Sequence, residues 1–219
     1  MRPRVLLLAL LLALPAAAEP VLLDRVVAVF TTATDGTQQV ITLSDLEREV
    51  RLALVVRAGP EAAEGEPPAE LWAAALDWLL SEHLILDEAE QLDIAQVDAA
   101  EIQREVEALV QRFGSEAAFE DFLRRHDIGR AEVLRVARRR LVVGRYIESR
   151  IRLAGAVTDG EVASAYAQRK DQLGGMAFEE AKPLIRAQLE KERREDLVAN
   201  LVRSLRSRAG VRILHRFED

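Results

Sequence analysis

Cysteine is absent from all 219 residues of this chain. Its absence excludes disulfides, thiol catalysis and thiolate metal sites, so stability must come from packing. Histidine is nearly as scarce: His83, His126 and His215 are far apart and form no H-E-x-x-H arrangement. The chain also lacks a G-x-x-x-x-G-K-[ST] phosphate loop, a G-x-G-x-x-G fingerprint and a G-x-S-x-G elbow, so nothing in it supports nucleotide-driven work or serine hydrolysis. Aromatic residues make up only 5% of the chain while 31% are charged, and Ala and Leu fill much of the rest, which is the composition of long helices.

Positive charge is also in short supply. Thirty Lys and Arg face 37 Asp and Glu, a net of −7, which argues against a nucleic-acid partner. The longest apolar run lies within the first twenty residues, MRPRVLLLALLLALPAAAEP. Arg2 and Arg4 precede the run from Val5 to Leu14, and Pro15 with Ala16, Ala17 and Ala18 follows it. This is the layout of a secretory signal peptide over residues 1–18, with cleavage expected after Ala18. The run is far short of the roughly 20 residues a spanning helix needs. With no cysteine to carry a lipid, the expectation is an exported, unanchored chain over 19–219, with 28 basic against 37 acidic residues once Arg2 and Arg4 are gone, about −9.

Hydrophobic patterning predicts helices with strands only at the two ends. "VVAVF" at Val26–Phe30 is β-branched enough for a buried strand, Asp35-Gly36 supplies a hairpin turn, and "QVIT" returns. Ser44 and Glu47 are spaced as a capping box for a first helix with Leu46, Val50 and Leu54 on one stripe, ended by Gly59-Pro60. After a Gly, Pro and Glu-rich loop, a helix from Ala69 to Leu92 is apolar around most of its circumference, with Glu70, Ala74, Asp77, Ser81 and Glu88 as its only polar stripe; it is expected to be enclosed on most sides.

Asp98 with Glu101, then Ser115, then Gly129 open three further helices, the last with an apolar stripe of Val133, Ala137, Leu141, Gly144, Ile147 and Ile151 and an arginine-rich opposite face read as solvated. Thr158 with Glu161 caps the next, and a final helix runs from Phe178 to Ala209 with "EKERRED" as a stretch that is wet or bridges two lobes. "VRIL", Val211–Leu214, closes as a strand. A lone hairpin is marginal in water, so pairing "VRIL" with it is the expected construction: a mainly α, multi-helix cradle with a small antiparallel β clasp joining the chain ends. The divisions are a helical lobe over 43–157, a helix over 158–173 and a returning helix and strand over 178–214.

Few residues offer chemistry. His83 and Asp87 lie four apart on one helix, within reach of one metal ion, but two local ligands do not make a site and a histidine at the core edge is the commoner reading. Trp72, Trp78, Tyr146 and Tyr166 have the surroundings of ordinary packing. No residue is assigned a catalytic, cofactor-binding or metal-binding role, and periodicity assigns none to client binding.

The order "DRVVAVF…QVITLSDLE", a helix, an acidic loop, "ALDWLLSEHLILDEAEQLDI", "FGSEAAFEDFLRRHDIGRAEVLRVARRRLVVGRYIESRI", "VTDGEVASAYAQ" and the closing "FEEAKPLIRAQLEKERREDLVANLVRSLRSRAGVRIL" resembles the N-terminal domain of SurA-type periplasmic chaperones. The likeness spans nearly the whole chain after residue 18. Many members carry parvulin-type prolyl isomerase domains before the last helix; here that interval is "RKDQLGGMAF", too short for one. The resemblance implies an ATP-independent, non-enzymatic periplasmic holdase for unfolded exported polypeptides, classically outer-membrane β-barrel precursors, with no cofactor. Two other readings remain open: an envelope adaptor with one fixed partner, bound through the long charged helix around Lys191–Asp196, and, against the missing domain, a prolyl isomerase.

Overall fold

The computed structural model describes residues 24–94 and 96–217. The signal peptide expected over 1–18 lies outside these residues. Strands β1 (Val26–Thr31) and β2 (Gln38–Thr42) open the order. Helices α1 (Leu43–Ala58), α2 (Ala69–Gln91), α3 (Ala99–Arg112), α4 (Glu116–Arg125), α5 (Arg130–Ala154), α6 (Asp159–Arg169) and α7 (Phe178–Ala209) follow, and β3 (Arg212–Ile213) closes it. Short 3-10 turns stand at Pro60–Ala63 and Lys170–Leu173. The protein is mainly α with one small antiparallel sheet, as the patterning predicts.

The sheet runs β2-β1-β3, so the first strand is the middle one and the two ends of the chain meet on it. Ala28 faces Ile41 on one side and Ile213 on the other, and Val27 O accepts hydrogen bonds from Leu214 N (2.8 Å) and His215 N (3.2 Å). The register shifts by a bulge between Val26 and Ala28, and Val27 to Phe30 of this middle strand are all buried. Beyond the strand, Phe217 stacks on Trp72 of α2 with ring centroids 5.7 Å apart. Deleting Val211–Asp219 removes the β3 pairing, the hydrogen bonds to Val27 O and the Phe217 stack at once. Amide exchange at Val27 to Phe30 is expected to accelerate roughly tenfold or more in the truncated chain, and unchanged protection would contradict the clasp.

Two local expectations are corrected. The capping box of α1 is Thr42 with Asp45, not Ser44 with Glu47. Both quartets fit the S/T-x-x-D/E pattern, and sheet register chooses between them: Thr42 pairs with Val26, remains extended, and its hydroxyl accepts from Asp45 N at 3.2 Å. Ser44 N donates instead to Asp24 (3.2 Å), and Glu47 pairs with Arg51 (2.8 Å). In the hairpin, only Gly36 takes a positive φ (+71°). Asp35 acts as an acceptor, its Oδ1 receiving Thr37 N (3.0 Å), Thr37 Oγ1 (2.8 Å) and Thr32 Oγ1 (2.5 Å); the Thr32 and Thr37 bonds hold its carboxyl below the usual range. The caps expected at Asp98, Ser115, Gly129 and Thr158 are present.

Apolar side chains gather in three clusters. One joins the sheet to α2, the C-terminal half of α5 and the end of α7, around Val27, Phe30, Leu80, Ile85, Tyr146 and Leu205. A second joins α1, α3, α4 and the first half of α5, around Leu52, Val106, Phe119, Phe122 and Val133. The third is small and holds α6 to the start of α7 through Val162, Ala181 and Ile185. Helix α7, ~48 Å long at 1.5 Å per residue, connects the third cluster to the first. Its buried residues are Ala181 and Ile185 near one end and Leu205 and Ala209 near the other, so "EKERRED" spans between them with none of its side chains buried.

The buried faces of α2 and α5 differ from the patterning. On α5 the buried residues are Val133, Val136, Arg139, Val142, Val143 and Tyr146, a stripe rotated from the expected one because it contains an arginine. On α2 part of the polar stripe faces α7, while Glu70, Ala74 and Asp77 stay exposed: Arg206 forms an ion pair with Asp77 (2.6 Å) and donates to the buried Ser81, and Arg208 pairs with Glu88 (3.0 Å). The enclosed side is therefore partly the polar one, and Trp78 is left 57% exposed.

Candidate functional site

Three charged side chains are buried where α1, α2 and α5 meet, between the first two apolar clusters. Arg139 donates through Nε to Glu82 at 2.9 Å and through Nη2 to Glu49, while Arg140 reaches the other oxygen of Glu49 at 3.4 Å. Burial opposes the Arg139 charge, but the two carboxylates outweigh it and hold its proton above the ordinary guanidinium value. Every member of this group has its partner. A closed ion-pair network of this kind positions helices; it offers no free carboxylate for proton transfer.

His83 and Asp87, one turn apart on α2, serve different neighbours. The His83 ring lies 5.8 Å from that of Phe30. Burial pushes its pKa down to about 4, helped by the nearby Arg139 charge and opposed by Asp45. Asp87 instead holds the hairpin loop: its carboxylate accepts from Ala33 N (2.5 Å), Thr34 N (3.4 Å) and Thr34 Oγ1 (2.6 Å). With its oxygens engaged by the loop, Asp87 is not presented with His83 to a shared ion. Among the described residues no group of three or more His, Asp or Glu side chains is arranged to hold a metal.

The aromatic residues divide between core and surface. Tyr146 is fully buried, with no hydrogen-bond partner for its hydroxyl among the described residues, and burial raises its pKa. Tyr166 donates to Met176 O at 2.8 Å and meets Phe178 edge-on at 5.2 Å. Trp72 is covered by Phe217, whereas Trp78 faces solvent.

Two clefts open on the helical body, and sequence reading anticipated neither. The first, of about 180 Å³, lies between α1, α3 and α5, over a floor of Leu52, Val106, Val133 and Val136 with Arg112 and Arg140 at its sides. The second, of about 430 Å³, lies between the end of α1, the end of α3 and α4. It is lined by Phe113 and by Glu61, Glu64, Asp121 and Arg125. Part of its charge is paired: Arg125 reaches Glu64 at 2.5 Å and His126 reaches it at 3.2 Å, and with the Arg125 hydrogen bond foremost they hold the Glu64 carboxyl below its usual range, while Arg112 and Glu61 also line it. Each cleft is built where stripes from three helices meet. Such stripes look like core in any one helix, so no periodicity signal separates cleft from core.

The solvated reading of the α5 arginine face holds for some positions and not others. Arg135 and Arg138 are exposed, Arg139 is buried, and Arg145 is tied to Gln96 O and Glu101 across to α3. Among the described residues, no helix is long and apolar enough to cross a membrane. No protein-family model matches the chain, and no curated protein matches it.

Proposed function

We propose that this chain is an ATP-independent holdase of the periplasm, exported by its signal peptide, that binds unfolded exported polypeptides and among them outer-membrane β-barrel precursors. The observation that carries this reading is the β2-β1-β3 sheet, in which the first and last strands are joined while α7 returns across the body. The resemblance to SurA-type chaperones implies that construction. A second observation supports it: Trp78 of the largely apolar α2, and Leu153 and Leu184 of the charge-rich α5 and α7, are each more than half exposed. Dispersed apolar contacts on a soluble acidic body suit weak, many-point binding that releases without nucleotide.

Catalysis is not part of the proposal. Only eight residues separate α6 from α7, half of them in a 3-10 turn, which leaves no room for an isomerase domain at that point. The purified chain from residue 19 is expected to suppress aggregation of a diluted, urea-unfolded outer-membrane protein without ATP, and to leave the cis/trans rate of a proline peptide unchanged. Failure across several clients at stoichiometric excess would contradict the holdase reading. The adaptor reading draws on the exposed middle of α7, Lys191–Asp196, and capture of one folded envelope protein with no preference for unfolded chains would favour it.

A further inference from the structure

The first cleft differs from the rest of the surface in its charge. The chain has more acidic than basic residues, and of the arginines lining the two clefts Arg125 and Arg140 meet a carboxylate. Arg112, in the last turn of α3, has no ion-pair partner among the described residues although it lines both clefts. The helix dipole favours a cation there but leaves all five guanidinium donors available. Arg140, on the far side of the first cleft, is held to Glu49 only at 3.4 Å. Glu105 is the one carboxylate lining that cleft, so two positive side chains outnumber it.

Between these charges the cleft is apolar. Leu52, Val106, Val133 and Val136 close its floor and Val56, 39% exposed, forms its lip. A volume of 180 Å³ suits one large side chain, since an apolar cavity of about 150 Å³ takes a benzene ring. In the neighbouring cleft Glu61, Glu64 and Asp121 outnumber Arg112 and Arg125, which leaves the Arg112 to Arg140 side as the more favourable one for an anion.

We infer that the cleft between α1, α3 and α5 docks an unfolded segment in which one large apolar side chain is adjacent to an acidic residue, the apolar group filling the cleft and the carboxylate meeting Arg112 and Arg140. This deepens the holdase reading and rests on it. It gives the chaperone a preference by local charge as well as by hydrophobicity.

Three Ser/Gly-rich peptides carrying an uncharged dye, with Phe-Asp, Phe-Lys or Ala-Asp at the centre, test the inference by fluorescence anisotropy with the full mature chain at low salt. Phe-Asp is expected to bind roughly tenfold more tightly than either of the others, because a charge-assisted contact and a filled apolar cleft are both required. Arg112→Glu is expected to bring Phe-Lys level with Phe-Asp or above it, and Arg112→Gln to narrow the gap; position 112 is exposed, and a thermal melt verifies that both variants fold. Equal binding of the three peptides, or a preference that neither Arg112 variant alters, would overturn the inference. Either result alongside intact aggregation suppression removes the cleft and leaves the holdase standing, whereas loss of suppression as well removes both.

Discussion

Arg139→Leu is expected to destabilise the fold by about 3–5 kcal/mol, a large share of what holds a domain of this size together. The reason is the group it leaves behind. Glu82 is 2% exposed and Glu49 9%, and Arg139 is the buried cation both carboxylates face. Without it, two acids lie in the seam between the α2 and α1 clusters with only Arg140, 3.4 Å from Glu49, to answer one of them. Restoring balance should restore stability: the triple variant Glu49→Leu, Glu82→Met, Arg139→Met replaces the network with apolar groups of similar size, and such replacements are often neutral or stabilising. Urea unfolding followed by circular dichroism measures both. A loss under about 1 kcal/mol for Arg139→Leu would show that the network contributes little.

The second large effect is on pH. His83 has a folded pKa of about 4 against an ordinary value of 6.5, chiefly because it is buried and secondarily because Arg139 is close. Between those values the unfolded chain binds a proton that the folded chain refuses, so stability is fully present above pH 6.5 and falls as pH drops toward 4. The 2.5-unit gap corresponds to about 3 kcal/mol of acid destabilisation from this one side chain. The lowered carboxyls of Asp24, Asp35, Glu64, Glu101, Glu161 and Glu192 act in the same direction, but below their ordinary values of 3.8 to 4.5. His83→Gln should therefore flatten the stability profile between pH 6.5 and 4.5 while leaving the steeper fall below it. An unchanged difference between pH 7.5 and 4.5 in the variant would contradict the buried position of the ring.

The first effect arises from residues whose role patterning does not reach, whereas His83 reads as a core-edge histidine and is packed as one against Phe30. Helix existence, most caps and the clasp were legible because each rests on local signals: Asp98 with Glu101, Thr158 with Glu161, and β-branched runs that need a third strand. What escaped depends on which helix lies against which. Arg139 counts as polar in any periodicity argument, yet it occupies the buried face of α5 because Glu49 and Glu82 arrive from two other helices more than fifty residues away in sequence. Asp77, Ser81 and Glu88 form a stripe that suits solvent as well as it suits arginines, and Arg206 and Arg208 of α7 settle which it meets. The spacing of His83 and Asp87 allows a shared ion, yet the partners of Asp87 are backbone amides and a threonine of the hairpin loop. The spacing of Ser44 and Glu47 places the start of α1 two residues late, and the pairing of Val26 with Thr42 puts the cap at Thr42 with Asp45.

The proposal that this clasped helical body holds unfolded chains is tested most directly by comparing one client in two states. A small protein that can be kept permanently unfolded by reduction and alkylation, and also prepared folded, is titrated against the mature chain without nucleotide. The account predicts saturable binding of the unfolded form and none of the folded form over the same concentrations. Equal binding of both forms, or binding of neither by a chain shown to be folded, would contradict it.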